Sequence, residues 1–212
     1  MLSTPLAVSY IKLKALAWAG LINIGIGVQS IYEPVRKMYK RNESIEQIRN
    51  TSKIISQVSK DNITPITVRY DFITDNPWGG EKDTEENINF ALSLENPKQV
   101  RIFSLIFYHG TELYEKAKSG NLIKDELNEV YRVTQLTPKD TYMNNVFSLL
   151  SLDCSESIVR FLIKVRSKSL VKMLKQFYKY RDRLNKHYKK AQTISNKFNS
   201  NPGEVLTKRN NV

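Results

Sequence analysis

Three polar residues lie where apolar, strand-like runs of the sequence end or are interrupted, and a fourth follows the first of these runs. Gln29 ends the run NIGIGVQ, Asp71 lies inside ITVRYDFIT, and Ser104 lies inside VRIFSLIF. Arg41 follows Gln29 by twelve positions, in the segment KMYKRN. A glutamine amide both donates and accepts hydrogen bonds, which suits a ribose or an amino-acid group, and an arginine binds a carboxylate through two hydrogen bonds. These residue types indicate recognition of a small polar molecule.

Each of these residues also has a purely structural interpretation. Gln29 can be a turn amide and Arg41 a solvated helix charge, since isolated polar residues are common on loops. A carboxylate inside a buried strand needs a partner or a polar cavity, and Arg69 lies two residues from Asp71 on the same side. A structural ion pair therefore remains an alternative for Asp71. Ser104 can meet a ligand, but a turn into the next helix explains its neighbourhood equally well.

Strand-like and helix-like segments alternate along most of the chain. Apolar spacing and capping signals predict the following order: a helix in 7–20, a strand ending at Gln29, a helix at 45–60, a strand at 66–74, a helix capped by Asp83, a strand at 100–107, a short helix near 113–117, and a long helix from Ser155 to Lys197. Such alternation predicts an α/β fold of about three parallel strands with covering helices. Ligands bind at the carboxyl ends of the strands in folds of this kind, and three strands leave an open edge.

Positive charge is concentrated in the last quarter of the chain. The net charge is +12, but residues 1–154 contain 18 Lys or Arg against 18 Asp or Glu. Residues 155–212 contain 15 basic against 3 acidic residues. This shift in composition predicts two units. The first, 1–154, is the α/β unit, and the second, 155–212, is a basic amphipathic helix with a flexible tail.

The basic helix carries aromatic side chains among its cations. Phe177, Tyr178, Tyr180 and Tyr188 are interspersed with lysines and arginines, a combination that can bind nucleic-acid phosphates and stack bases. RNA is therefore one candidate partner. Two alternatives are that the helix packs through its apolar stripe and leaves its charges in water, or that it lies on a membrane surface.

Cysteine content excludes whole classes of site. Cys154 is the only cysteine, so neither a disulfide framework nor a multi-cysteine metal site can be built from this sequence, and Cys154 is expected to be a small buried hydrophobe. His109 and His187 are too far apart for a local metal motif. The sequence predicts no transmembrane segment and no signal peptide. By elimination, a cytoplasmic location is expected.

Four motifs together resemble a known enzyme family. GIGVQS, KMYKRN, YDFITDNPWGGEKDTEENI and FSLIFYHGTELYEKA, in this order, resemble the latter half of a radical S-adenosylmethionine domain, with most similarity to the cobalamin-binding subclass. The resemblance covers residues 8–120 and implies a partial (β/α) barrel. It further implies that Gln29 and Arg41 contact the ribose and methionyl parts of S-adenosylmethionine, that Asp71 faces the same pocket, and that residues 70–77 and 104–110 line the adenine side largely through backbone.

One departure from that family is as informative as the matches. The CxxxCxxC loop, whose thiolates hold a four-iron four-sulfur cluster, is absent. The resemblance therefore implies a truncated radical S-adenosylmethionine protein, inactive alone, whose missing N-terminal half is its partner. The complete form would use the iron-sulfur cluster, S-adenosylmethionine and, by subclass, cobalamin for radical or methyl-transfer chemistry. The alternative is a non-catalytic, degenerate barrel that serves as a binding or scaffold module, with RNA bound through the basic tail.

Overall fold

The computed structural model describes residues 2–61, 65–96 and 98–200, so all but the first residue of the expected flexible tail SNPGEVLTKRNNV lies outside the described residues. The elements, in chain order, are β1 (Leu2–Ser3), a 3₁₀ turn (Pro5–Ala7), α1 (Tyr10–Trp18), β2 (Asn23–Gln29), α2 (Glu33–Met38), α3 (Ile45–Lys60), β3 (Thr67–Thr74), α4 (Gly80–Ala91), β4 (Lys98–Ser104), α5 (Glu112–Ser119), a π-helical turn (Leu127–Tyr131), α6 (Tyr142–Ser151), α7 (Glu156–Val165) and α8 (Lys168–Ser200). No described helix combines the length and apolar character needed to span a bilayer.

The strands form one open parallel sheet in the order β1-β2-β3-β4. The three long strands confirm the α/β prediction, and the two-residue β1 adds a short fourth strand at the edge. Gly27 of β2 is the register partner of Asp71, and Asp71 is the register partner of Arg101 on β4. Because all strands run the same way, their carboxyl ends meet at one edge of the sheet.

The two faces of the sheet have different surroundings. Burial alternates strictly along β3, with Val68, Tyr70 and Phe72 buried and the residues between them only half-buried. The buried side chains belong to the same core cluster as apolar residues of α3, α4 and α6. The other side, here called the open face, carries Gly27, Arg69, Asp71, Ile73, Gln99, Arg101 and Phe103.

The sequence predicted that β3 is buried under helices, and this is correct for one face only. Arg69 and Asp71 keep 32% and 14% of their side-chain surface exposed. Parallel sheets usually have both faces covered, and the described part of this chain supplies helices mainly to one. The polar residues of β3 therefore point to the uncovered side, which explains their place in an otherwise apolar strand.

Helix α3 was predicted most closely. The helix begins at Ile45, where the Ser44 hydroxyl accepts from the Gln47 backbone N–H at 3.1 Å and the Gln47 side chain accepts from the Ser44 N–H at 2.6 Å. This reciprocal pair is a capping box, which satisfies two backbone donors that the helix itself leaves unpaired.

The predicted limits of β4 and the predicted N-cap of α4 are wrong. The strand expected at 100–107 begins at Lys98 and ends at Ser104; Leu105 still donates its N–H to the Thr74 carbonyl, and the chain then leaves the sheet. Asp83 does not cap α4, whose N-cap is Gly79. Asp83 instead lies inside the helix and is 1% exposed.

The single long helix that the sequence predicted from Ser155 to Lys197 is two helices in the structure. α7 ends at Val165, where Arg166 adopts left-handed backbone with φ +52°, and α8 begins two residues later. A residue in left-handed backbone ends a helix because the chain after it turns away from the helix axis and cannot continue the i to i−4 hydrogen bonds. Helix α6, which the sequence reasoning missed, packs beside β4, α7 and α8 and buries Met143, Val146 and Phe147.

Candidate functional site

A cleft of about 380 Å³ lies at the carboxyl ends of β2, β3 and β4. Gln29, Asp71 and Ser104 line it, one from each strand, together with residues of the loop that follows β4. We call it the strand-end cleft. Its volume falls within the range of small-molecule sites in proteins, on the order of 300–1,000 Å³. The fold therefore brings three of the four predicted site residues together, although 33 or more residues separate each from the next.

Gln29 is presented to the cleft by a local irregularity. The register between β2 and β3 shifts between Gly27 and Gln29, and Gln29 has φ +69°, a left-handed conformation. Its Nε2 lies 3.0 Å from the position that a Cβ would occupy on Gly27, so the glycine leaves room for the amide. Within the described part of the chain, no hydrogen bond involves this side chain. The amide is therefore available for a ligand.

Asp71 is held by one oxygen only. Arg69 donates from Nε to Asp71 Oδ1 at 3.0 Å, which confirms the structural ion pair considered from the sequence. Among the described residues, no hydrogen bond involves Asp71 Oδ2. The same carboxylate therefore has a positioning partner and a free acceptor, so the ion pair and a role in ligand binding are compatible.

Ser104 contributes through its position rather than its hydroxyl. Ser104 Oγ donates to Asp75 Oδ2 at 2.7 Å, and the Ser104 N–H donates to the Gln135 carbonyl at 2.8 Å. The next residue, Leu105, donates its N–H to the Thr74 carbonyl at 2.9 Å. These bonds fix the end of β4, so the polar groups that remain for a ligand here belong to the loop backbone after Leu105.

Asp75 organises this end of the sheet, and the sequence reasoning missed it. It has φ +64° and follows β3 directly. Its carboxylate accepts from Ser104 Oγ, from the Lys139 N–H at 2.9 Å and from Asn144 Nδ2 at 2.7 Å. The only sequence signal was an aspartate in the DNP turn, a residue type that tolerates left-handed backbone.

Tyr39 is a second lining residue that the sequence did not reveal. Its hydroxyl accepts from Asn76 Nδ2 at 2.9 Å, and burial raises the pKa of Tyr39 to about 12. The phenol therefore keeps its proton. Because the oxygen accepts from Asn76, that contact does not use the hydroxyl proton, which remains available to another acceptor.

Arg41 is not brought to the cleft. Its Nη2 donates to the Gly27 carbonyl at 2.7 Å, and it forms an ion pair with Glu43. β1 pairs only with Gly25 and Ile26, so Arg41 satisfies a carbonyl of β2 beyond the point where β1 ends. Buried Arg36 supports the same corner by donating to the Ser30 carbonyl at 3.1 Å. These contacts give Arg41 a structural role, and its contact with a bound ligand stays a prediction.

The residues present do not fit an iron-sulfur cluster. Cys154 is buried, as expected from the sequence, and lies between α6 and α7 against Tyr178 of α8. Within the described residues, no group of three or more His, Cys, Asp or Glu side chains could hold a metal ion. No chemistry of such a cluster is therefore assigned to this chain.

The basic helix α8 exposes more apolar surface than the sequence indicated. Phe177, Tyr180 and Tyr188 are exposed, whereas Tyr178 is buried, with the Arg181 guanidinium 4.4 Å from its ring centre. The described side chains from Arg183 to Thr193 are all exposed. The expected apolar stripe is therefore not packed along its length, and its solvent-facing part lies among lysines and arginines.

Comparison with known proteins does not identify a family for this chain. No protein-family model matches the sequence, and no curated protein matches it.

Proposed function

We propose that this chain binds S-adenosylmethionine, or a closely similar nucleoside, in the strand-end cleft, as one part of a radical S-adenosylmethionine-type barrel. The observation that carries the proposal is the convergence of Gln29, Asp71 and Ser104, from three strands, on one cleft. Open α/β sheets bind their ligands in this position. The motif resemblance over residues 8–120 supports the same choice of ligand.

The available groups suit the parts of this ligand. The free Gln29 amide can both donate to and accept from ribose hydroxyls. The free oxygen of Asp71 can accept from an ammonium group or lie near the positive sulfonium, since opposite charges attract strongly in a partly buried site. Tyr39 supplies a neutral hydroxyl donor.

The adenine would lie along the loop after β4. A neighbouring cleft of about 590 Å³, lined by Asp75, Pro77, Ser104, Leu105 and Phe107, adjoins the strand-end cleft at Ser104 and Leu105. It offers backbone groups and an aromatic ring, the usual means of holding a base. This placement agrees with the role implied for residues 70–77 and 104–110.

The proposal gives this chain binding and no cluster chemistry. A single buried cysteine cannot ligate the cluster that cleaves S-adenosylmethionine, so the cluster, and any cobalamin, would be held by residues outside this chain. Further strands from the N-terminal half of such a barrel would pair at the sheet edges and so enclose the open face, which carries the half-exposed Arg69 and Asp71. The absence of a disulfide framework fits a reducing, cytoplasmic setting.

Calorimetric titration with S-adenosylmethionine tests the proposal. Gln29→Gly removes the amide and suits the left-handed backbone, and Asp71→Asn removes the charge while keeping the shape. Each variant should weaken binding by about tenfold, the value of one hydrogen bond to a polar or charged group. Gln99→Ala, which removes an amide near the amino end of β4, should bind as the unmodified chain does. Undetectable binding by the unmodified chain, or equal affinity in all variants, would overturn the proposal.

RNA binding through α8 is a second candidate. The observation that favours it is the exposure of Phe177, Tyr180 and Tyr188 on a helix with ten Lys or Arg and one acidic residue between 168 and 200. Exposed aromatics stack on bases, and cations contact phosphates, without requiring a preformed pocket.

A further inference from the structure

β4 is an edge strand with unpaired backbone groups. It pairs with β3 only. Leu105 donates its N–H towards β3, whereas Ser104 donates its N–H to Gln135 on the opposite side. Successive residues of a strand point their backbone groups to alternate sides, so Val100 and Ile102 also direct theirs away from β3. Among the described residues, no hydrogen bond reaches the N–H or C=O groups of Val100 and Ile102 on that side.

These groups open into a groove of about 450 Å³. Val100 to Phe103 form one wall, and α6 and α8 form the other. The loop at Leu136–Lys139 closes the carboxyl end. We call this the edge groove. It shares only Phe103 with the lining of the strand-end cleft, and only Thr137 and Lys139 with the neighbouring cleft proposed for adenine, so most of its lining is its own.

The edge groove is positively charged. Arg101, Lys139, Lys175 and Lys179 line it, and its lining contains no Asp or Glu. Lys175 donates to Asn145 Oδ1, and burial, followed by the neighbouring Lys179, lowers the pKa of Lys175. A negatively charged partner would offset both the burial of the Lys175 ammonium group and its repulsion by Lys179.

The chemistry of the groove selects one kind of occupant. Outward N–H and C=O groups at strand spacing are complementary to another polypeptide backbone, because they offer donors and acceptors in alternation. The β4 strand of a second copy carries Lys98 and Arg101 and no acidic residue, so it would add positive charge to a positively charged groove, which is destabilising. An extended segment with acidic side chains supplies both the backbone donors and acceptors and the negative charge that the groove requires.

We propose that the edge groove binds an extended, acidic peptide segment of a partner protein, which adds to the sheet as a strand beside β4. Val100 and Ile102 supply the main-chain hydrogen bonds. Arg101 lies on the open-face side and Lys175 and Lys179 on the helix side, so acidic side chains on either side of the added strand meet a cation. The two outward residues span a segment of about five residues, and the loop at Leu136–Lys139 limits its extent.

Fluorescence anisotropy with a labelled hexapeptide Glu-Glu-Val-Val-Glu-Glu, which places glutamates on both sides of an extended strand, tests the proposal at an ionic strength of about 0.15 M. The peptide should bind the full chain, and the double variant Arg101→Glu, Lys179→Glu should bind at least about tenfold more weakly, since two favourable charge pairs become repulsive. The matched control Lys189→Glu, Lys190→Glu makes the same change in net charge on the exposed part of α8. It should change the affinity by less than about twofold, because those side chains lie outside the groove.

A second probe separates strand addition from charge attraction alone. The same hexapeptide with alternate backbone nitrogens methylated keeps its charges and loses its donors on one side, so it should bind far more weakly. Equal binding of the methylated peptide would overturn the proposal, as would equal binding by the groove variant. Preferential binding of oligouridine at this groove, with no peptide binding, would assign the charge to RNA instead and would also overturn it.

Discussion

Ser104 Oγ donates a hydrogen bond of 2.7 Å to Asp75 Oδ2 and so joins the end of β4 to the turn after β3. The same carboxylate holds Lys139 and Asn144, which belong to a distant loop and to α6. One side chain thus fixes the relative positions of the elements that surround the strand-end cleft.

Asp75→Ala should destabilise the fold strongly. The change removes three hydrogen bonds to an ionised acceptor and places alanine in left-handed backbone, which together cost about 3–5 kcal/mol. Urea denaturation of the variant beside Asp75→Asn measures the effect. Asparagine tolerates the backbone and keeps an acceptor oxygen, so it should cost clearly less. Similar unfolding free energies for the unmodified chain and Asp75→Ala would contradict the role of Asp75.

Asp83 should make stability depend on pH. Its Oδ1 accepts from Ser30 Oγ at 2.6 Å and Asn87 Nδ2 at 2.8 Å, and burial raises the pKa of Asp83 to about 6. A raised carboxyl pKa means that the folded state prefers the protonated form. The stabilising contribution is therefore present below pH of about 4 and is lost as the pH rises through about 6.

Asp83→Asn isolates this effect, since asparagine keeps the accepting oxygen and cannot ionise. The unfolding free energy of the variant, relative to the unmodified chain, should rise by about 2–3 kcal/mol between pH 4 and pH 7. Urea denaturation at both pH values measures it. The same difference at pH 4 and pH 7 would show that Asp83 ionises normally in the fold.

The RNA candidate predicts a loss of affinity on α8. Replacing Lys186, Lys189 and Lys190 by alanine should weaken binding of a single-stranded oligouridine and reduce the slope of log affinity against log salt by about 2, because about 0.7 counterion is released per contact. Fluorescence anisotropy over a range of salt concentrations measures both. A triple alanine variant at Lys12, Lys53 and Lys60, which lie on α1 and α3, serves as the control. Equal losses in both variants would indicate only a general charge effect.

Anaerobic reconstitution should give no stoichiometric cluster. Cys154 is the only thiol and is buried, so iron and sulfide should be removed by desalting. Iron and acid-labile sulfide content per chain measures the outcome, and Cys154→Ala should behave identically. Four retained irons per chain would contradict the argument from cysteine content.

Local signals in the sequence predicted the helices and strands better than the contacts between residues far apart in the chain. The capping box of α3, the polar pair on β3 and the strand-to-helix alternation all depend on residues close together in the chain. The Asp75 contacts join residues 29 and 69 positions apart, and no local pattern encodes such pairs. The break at Arg166 depends on a non-glycine residue in left-handed backbone, which helical periodicity does not reveal.

The same reasoning explains the outcome for the site. Gln29, Asp71 and Ser104 were predicted because parallel strands end at one edge, so position along a strand was sufficient. Arg41 lies outside the cleft lining because it contacts the Gly27 carbonyl beyond the end of β1, and β1 was not predicted. Tyr39 reaches the cleft from the end of α2, a helix that the sequence reasoning also missed.

Amide chemical shifts during titration with S-adenosylhomocysteine test the central claim most directly, since they locate binding along the chain and need no catalysis. The account predicts changes concentrated at Gln29, Asp71 and residues 105–108, with little change along α8. Absence of any change at the strand-end cleft, or changes concentrated at the edge groove or on α8, would contradict it.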